Sequence, residues 1–206
     1  MKKTFSEIIS FVFHPLFMPL YAIFLLFNTD SRIGYLHSSL KNYVYGIFII
    51  SVIIIPLIMV LAFQSLGLIS SLMLEKKRER VLPLFVLTIS TLSTYIFLQS
   101  GGIVPKVVLL FIYSISINAF VTATISWFWK ISTHMVGAGG VLAYILFVAL
   151  VYWINLDFIF APLVLIIGLV AFARLYLQKH STTEVYIGFL QGFSITGASL
   201  FILVYL

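Results

Sequence analysis

The residues best equipped for chemistry in this sequence are two histidines and the charged groups spaced around them. His180 stands four residues before Glu184 and six after Arg174. If that stretch is helical, the Glu184 carboxylate accepts one imidazole N–H and fixes the tautomer, the support that a nucleophilic or general-base histidine needs. Arg174 closes an apolar run, where a guanidinium without a task is expensive. His134 follows Lys130, Ser132 and Thr133 at the start of another apolar run. Ser132 or Thr133 can cap a helix there. The bare amides of that helix start favour an anion, and a histidine beside them can deliver a proton. The third group is the run Glu75-Lys76-Lys77-Arg78-Glu79-Arg80-Val81-Leu82-Pro83. A helical start to it would set Lys76, Arg80 and Pro83 on one face. Taken singly, each group also has an ordinary reading. The basic run can be a solvated loop with local ion pairs. Trp129 and Lys130 can be an interfacial anchor beside a helix cap, and Arg174 and Lys179 can snorkel past a surface His–Glu pair. His14, next to Pro15, reads as a kink-associated polar residue, and His37 as a solvated loop residue.

The elements that must position these groups are membrane helices. Of 206 residues, 62% are hydrophobic and only 9% charged, and the mean hydropathy is +1.18. Soluble domains carry about 25% charged residues. A globule of this size cannot hide so much apolar surface from water. A soluble enzyme, a disordered chain and a nucleic-acid module are thereby excluded. The net charge of +6 sits in loops between apolar runs, as membrane topology predicts. With no cysteine, disulfides, thiolate nucleophiles and Cys-based metal sites are excluded.

A bilayer core needs about 20 apolar residues per helix. Seven runs qualify, near residues 11–28, 43–66, 82–99, 105–127, 136–154, 158–177 and 185–206. Pro15 and Pro19 make the first irregular: tilted, kinked or partly re-entrant. The expected fold class is therefore all-α, a polytopic helical membrane bundle with six or seven transmembrane helices, in a single domain over 1–206. Lys2, Lys3, Lys76, Lys77, Arg78, Arg80, Lys130, Arg174 and Lys179 fall on one side of the membrane, against Arg32, Lys41 and Lys106 on the other. Positive-inside bias then puts the N-terminus and the even loops in the cytoplasm. The expected setting is a bacterial inner membrane. Glycines 137, 139, 140, 188, 192 and 197 are expected to let the spans bearing the two histidines pack closely.

Pairs of spans separate the three charged groups, so an even number of crossings returns all three to one side. More than half of the scarce charge gathers there, around two histidines. Cations and helix-start amides neutralise a phosphoryl group, one histidine attacks phosphorus, and the other protonates the leaving oxygen.

These residues resemble the membrane branch of the type 2 phosphatidic acid phosphatase superfamily, whose signature is K-x6-R-P, then P-S-G-H, then S-R-x5-H-x3-D. Arg174-x5-His180-x3-Glu184 meets the third motif, with Ala173 in place of Ser and Glu184 in place of Asp. Ile131-Ser132-Thr133-His134 meets the second loosely. The first departs most, with Arg80 followed by Val-Leu-Pro83 and no lysine seven residues before it. The similarity covers about residues 75–192. It implies His180 as nucleophile, Glu184 as its orienting group and His134 as general acid. Arg174 would bind phosphate, helped by Arg80, Lys76 or Lys77, with Lys130, Ser132 and nearby amides. It implies no metal and no cofactor. The substrate would be a lipid phosphate or diphosphate drawn from the bilayer, of the phosphatidate, phosphatidylglycerophosphate or polyprenyl diphosphate class. The same cationic face also suits a non-catalytic membrane protein that binds or moves an anionic lipid or small anion. A transporter is prompted by the proline-broken first span.

Overall fold

In the computed structural model, residues 1–29, 31–72, 74, 76–155 and 157–205 are described, and their regular structure is helical throughout. Glu75 lies outside the described residues. The helices are α1 (Lys2–Val12), α2 (Met18–Phe27), α3 (Ser38–Phe48), α4 (Ile55–Ser65), α5 (Val81–Gly101), α6 (Lys106–Phe128), α7 (Thr133–Tyr152), α8 (Asp157–Tyr176) and α9 (Thr182–Tyr205). A π-helical segment, Ile49–Ile54, joins α3 to α4, and a 3₁₀ turn, Lys77–Arg80, leads into α5.

Five of the described helical stretches are long and apolar enough to cross a membrane: Ser38–Ser65, Lys77–Gly101, Lys106–Phe128, Thr133–Tyr152 and Phe158–Tyr176. α9, at 24 residues, covers the last expected run. The first expected run, 11–28, is not one span. The chain leaves α1 at Phe13 and turns through Pro15, which has no N–H to continue a helix. It then restarts as α2, where Pro19 sits harmlessly in the first turn. The ten residues of α2 cover about 15 Å, half of a hydrocarbon core about 30 Å thick.

The chain divides into two compact units, Met1–Leu36 with Ser132–Leu206, and His37–Ile131. Each is taken in turn.

In the first unit, α7 and α9 lie against one another through their glycines. A Cβ at Gly188 would come within 2.8 Å of the Ser132 carbonyl oxygen. One at Gly192 would strike the Val136 carbonyl, and one at Gly139 the Phe189 carbonyl. One at Gly140 would press on Thr196 Oγ1 at 3.1 Å. The partners advance together, Ser132 with Gly188, Val136 with Gly192, Gly140 with Thr196, so the two helices run parallel at i, i+4 spacing. Gly137 meets Met18 of α2 instead, and Gly197 has nothing within 4 Å. The expected close packing therefore holds for Gly139, Gly140, Gly188 and Gly192, and Gly197 takes no part in it. Parallel packing puts the starts of α7 and α9 at the same end. There the Ser132 N–H donates to the Glu184 carbonyl at 3.3 Å.

In the second unit, α5 and α6 pack antiparallel. The Ser116 hydroxyl donates to the Thr88 carbonyl at 3.1 Å, Phe85 meets Phe120, and Tyr95 meets Tyr113. Gly102, at φ 65°, ends α5 in the left-handed conformation that favours glycine. Pro56 has no N–H to give the Val52 carbonyl, and the π segment immediately precedes it. Within that segment the Ser51 carbonyl accepts the Ser90 hydroxyl at 2.8 Å.

Overpacking a tight core costs about 1–3 kcal/mol, and a backbone clash adds to that. Gly192→Leu should therefore lower the thermal unfolding temperature in detergent and disrupt the α7–α9 pair, whereas Gly197→Ala, in open space within α9, should hold it or raise it slightly. Equal tolerance of both substitutions would contradict the glycine contact.

Candidate functional site

The segment holding Arg174, His180 and Glu184 is a tight reversal between two helices. α8 ends with Gln178 in the left-handed region, at φ 52°. The Lys179 N–H reaches back to the Arg174 carbonyl at 3.2 Å, and the Gln178 N–H to the Leu175 carbonyl at 2.9 Å. Those two bonds are the helix-ending pattern usually built on glycine. α9 then starts with a reciprocal cap. The Glu184 N–H donates to the Ser181 hydroxyl at 3.3 Å, and the Ser181 N–H to Glu184 Oε2 at 3.4 Å. The sequence signal for this was Ser181-x-x-Glu184, a capping box, which the spacing argument from His180 passed over.

Glu184 Oε2 also accepts from His180 Nδ1 at 2.6 Å. The imidazole of this pair is nearly fully buried, its side chain 1% exposed against 15% for the carboxylate. A carboxylate on Nδ1–H leaves the lone pair of neutral His180 on Nε2. The sequence expectation that Glu184 orients His180 matches this geometry, although His180 lies just before the helix rather than within one.

His134 sits in the first turn of α7 and is buried. Its Nε2 lies 3.0 Å from the Ser10 carbonyl oxygen. A carbonyl only accepts, so His134 carries its proton on Nε2. Ser10 belongs to α1, and its hydroxyl accepts from Arg174 Nη1 at 3.3 Å. His134 and Arg174 thus meet on one residue, and His134 is within electrostatic reach of both Arg174 and His180.

His14 belongs to the same group. It lies in the turn between α1 and α2, with its ring edge-on to that of His134 at a centroid distance of 5.5 Å. Its Nδ1 accepts the Leu16 N–H at 3.3 Å. Burial first, and the Arg174 cation second, lower its pKa. Reading His14 as a local kink residue therefore falls short. The signal available was His-Pro at the break in an apolar run, and nothing local shows what packs there.

Ser132 occupies the N-cap position of α7, but its hydroxyl makes no capping bond. The residue is fully buried, and Ser132 Oγ has no hydrogen-bond partner among the described residues. Buried hydroxyls are seldom left so. With two parallel helix starts side by side, this end of the unit carries two positive dipole ends, Arg174, a buried hydroxyl and two oriented histidines.

Arg80, Lys76, Lys77 and Lys130 belong to the second unit. The expected helical face linking Lys76 to Arg80 does not form, because a tighter 3₁₀ turn begins at Lys77 and Lys76 stays extended outside it. Arg80, buried, donates through Nε to the Leu74 carbonyl at 2.7 Å and through Nη1 to the Ile131 carbonyl at 3.1 Å. Lys77 Nζ donates to the Phe128 carbonyl at 2.6 Å, and Arg78 lies 5.9 Å from the Trp127 ring. The basic run therefore embraces the C-terminal end of α6, where cations complement the dipole. Lys76 pairs with Glu79 at 3.3 Å on the surface. Lys130 is half-buried. His37, expected as a solvated loop residue, is exposed just before α3 and also caps that helix, its Nδ1 accepting the Ser39 N–H at 3.3 Å.

The geometry fixes the tautomers of all four histidines. Nitrogen NMR on histidine-labelled protein near pH 8 should find His180 protonated on Nδ1 and His14, His37 and His134 on Nε2. A His180 carrying its proton on Nε2 would contradict the Glu184 contact. Separately, Gln178→Gly should raise stability by roughly 0.5–1 kcal/mol in thermal unfolding, since a side chain at positive φ costs about that much or more. A loss of stability would show that the Gln178 side chain, not the turn, matters.

Comparison with protein-family models, with curated proteins and with solved structures finds no match to this chain.

Proposed function

We propose that the chain is a membrane-embedded, metal-independent phosphatase acting on a lipid phosphate or diphosphate through a phosphohistidine. The observation that carries this reading is the Glu184-oriented His180 in one unit with Arg174 and His134, the latter two held on Ser10.

The chemistry follows from the tautomers. With Nδ1–H given to Glu184, His180 Nε2 attacks phosphorus, and the bond from phosphorus to the leaving oxygen breaks. The positive charge that develops on the imidazole is stabilised by the carboxylate. Arg174 and the amides at the starts of α7 and α9 neutralise the phosphoryl oxygens, the largest contribution in such transfers. With its Nε2–H held by the Ser10 carbonyl, His134 in its doubly protonated form gives the Nδ1 proton to the leaving alcohol or phosphate. In the second half, neutral His134 takes a proton from water, the water oxygen attacks phosphorus, and the N–P bond breaks. Inorganic phosphate leaves, and His180 and His134 return to their starting forms. The substrate classes that suit a site among apolar helices are phosphatidate, phosphatidylglycerophosphate and polyprenyl diphosphates, reached sideways from the bilayer.

A second reading has a specific observation in its favour. Arg80 and Lys77, cations of the weakest motif, bond main-chain carbonyls, as a structural loop does. The chain would then bind or move an anionic lipid without turning it over.

Phosphate release from a panel of lipid phosphates in detergent, without added metal, separates the two. Wild-type protein should release phosphate from at least one member, and His180→Ala should reduce release to background. Glu184→Gln and His134→Ala should each lower kcat by about 10²–10⁴. If wild type and His180→Ala are equally silent throughout, while lipid phosphate still binds and Arg174→Gln abolishes that binding, the non-catalytic reading holds.

A further inference from the structure

The N-terminal helix enters the site at a place no catalytic motif covers. α1 is an amphipathic helix with Phe5, Ile8, Phe11 and Val12 exposed and Ser6 fully buried. Helices end with four carbonyls that lack partners within the helix. Here each has been matched. The Ile9 carbonyl accepts the Phe13 N–H, and the Phe11 carbonyl the His14 N–H. The Val12 carbonyl accepts the Tyr21 hydroxyl at 2.8 Å. The Ser10 carbonyl alone goes to a distant residue, His134, 124 positions away. Its own hydroxyl takes Arg174 Nη1 from α8.

This arrangement sets acceptors among positive groups. Arg174 and the positive starts of α7 and α9 share one end of the unit, where the Glu184 carboxylate is already engaged by His180 and the Ser181 N–H. The C-terminal end of α1 carries the opposite partial charge, which the Ser10 carbonyl brings to His134, while the Ser10 hydroxyl gives Arg174 a side-chain acceptor. Its carbonyl fixes the His134 tautomer, as Glu184 does for His180. Its hydroxyl fixes the plane of the Arg174 guanidinium, whose forked donors recognise a phosphoryl group only in the right orientation.

We propose that Ser10 is a positioning residue of this site, its hydroxyl presetting Arg174 for phosphate and its carbonyl presetting His134 for proton transfer. The assignment rests on the phosphatase reading above and extends it to a segment outside its motifs. It divides Ser10 between two tasks that substitution can separate, because Ser10→Ala removes the hydroxyl and keeps the carbonyl. Losing the hydroxyl should weaken phosphate binding and spare the chemical step.

The test measures calorimetric binding of inorganic phosphate to the full-length chain in detergent, together with kcat and KM on a lipid phosphate that wild type hydrolyses. Ser10→Ala should raise the phosphate Kd and KM about fivefold, the effect of one hydrogen bond, with kcat within about twofold of wild type. Ser10→Thr, which keeps the hydroxyl, should restore both. Ser6→Ala removes a buried hydroxyl of the same helix that donates to the Lys2 carbonyl, and should change neither. Ser10→Cys, close to serine in size, serves if Ser10→Ala does not fold. Unchanged Kd and KM in Ser10→Ala would overturn the assignment while leaving the phosphatase reading intact. An equal loss in Ser6→Ala would overturn it too, since the effect would then come from helix packing. A wild-type chain that neither binds phosphate nor releases it would remove the phosphatase reading and the Ser10 assignment together.

Discussion

The parallel contact of α7 and α9 is the constraint on which the first unit depends. Backbone meets backbone at Gly188, Gly192 and Gly139, close enough that a single Cβ would crowd a carbonyl oxygen at each of them. In a lipid-solvated chain such contacts supply the packing that water supplies elsewhere, because lipid tails offer no hydrophobic gain on association. The register of the contact brings the two helix starts together, and with them His134, Ser132 and Glu184. Had the helices met antiparallel, the same motifs would lie a membrane thickness apart. α8 is the return crossing that makes the parallel pair possible, and it ends on Arg174, at the end where α9 begins.

Polar groups in this chain are placed by the need to satisfy one another. The four final carbonyls of α1, the cap of α9 and the end of α8 each find partners within nine residues, with one exception, Ser10, whose partner is His134. In the second unit the basic run does the same around the end of α6, Lys77 taking the Phe128 carbonyl of its last residue and Arg80 the Ile131 carbonyl just beyond it. A cation that serves a helix end and one that serves a ligand look alike in a sequence. The partners differ here: Arg80 and Lys77 donate to main-chain carbonyls, and Arg174 donates to the Ser10 hydroxyl.

Legibility followed the range of the interaction. The Arg174, His180 and Glu184 spacing was readable because its geometry is local: six and four residues span one reversal, and the His180–Glu184 bond needs no other element. The all-α class and most helical spans were readable from apolar length. Close packing at Gly139, Gly140, Gly188 and Gly192 was readable as a type of contact, though not its parallel register. Ser10 and His14 were not readable, since their importance arises only where α1 and the turn after it are laid against residues 120 and more positions away. The first span failed as a unit because Pro15 has no backbone donor with which to carry the helix past His14. Counting apolar length cannot register that. The 3₁₀ turn at Lys77 escaped for a related reason, as tight and ordinary helical starts share composition. Gln178 at positive φ gave no sign at all, because the turn it makes is one for which glycine is the usual marker.

The claim most open to a direct trial is that phosphorus becomes bonded to His180. A lipid phosphate that the wild-type chain turns over is mixed with enzyme, quenched in alkali within milliseconds, digested and analysed by mass spectrometry, alkali being chosen because phosphohistidine survives it and is lost in acid. The phosphoryl group should appear on the peptide containing His180, persist longer in His134→Ala, and be absent from His180→Ala. Turnover at the full rate with no phosphoryl group on His180 at any quench time, or with the group on another residue, would contradict the mechanism.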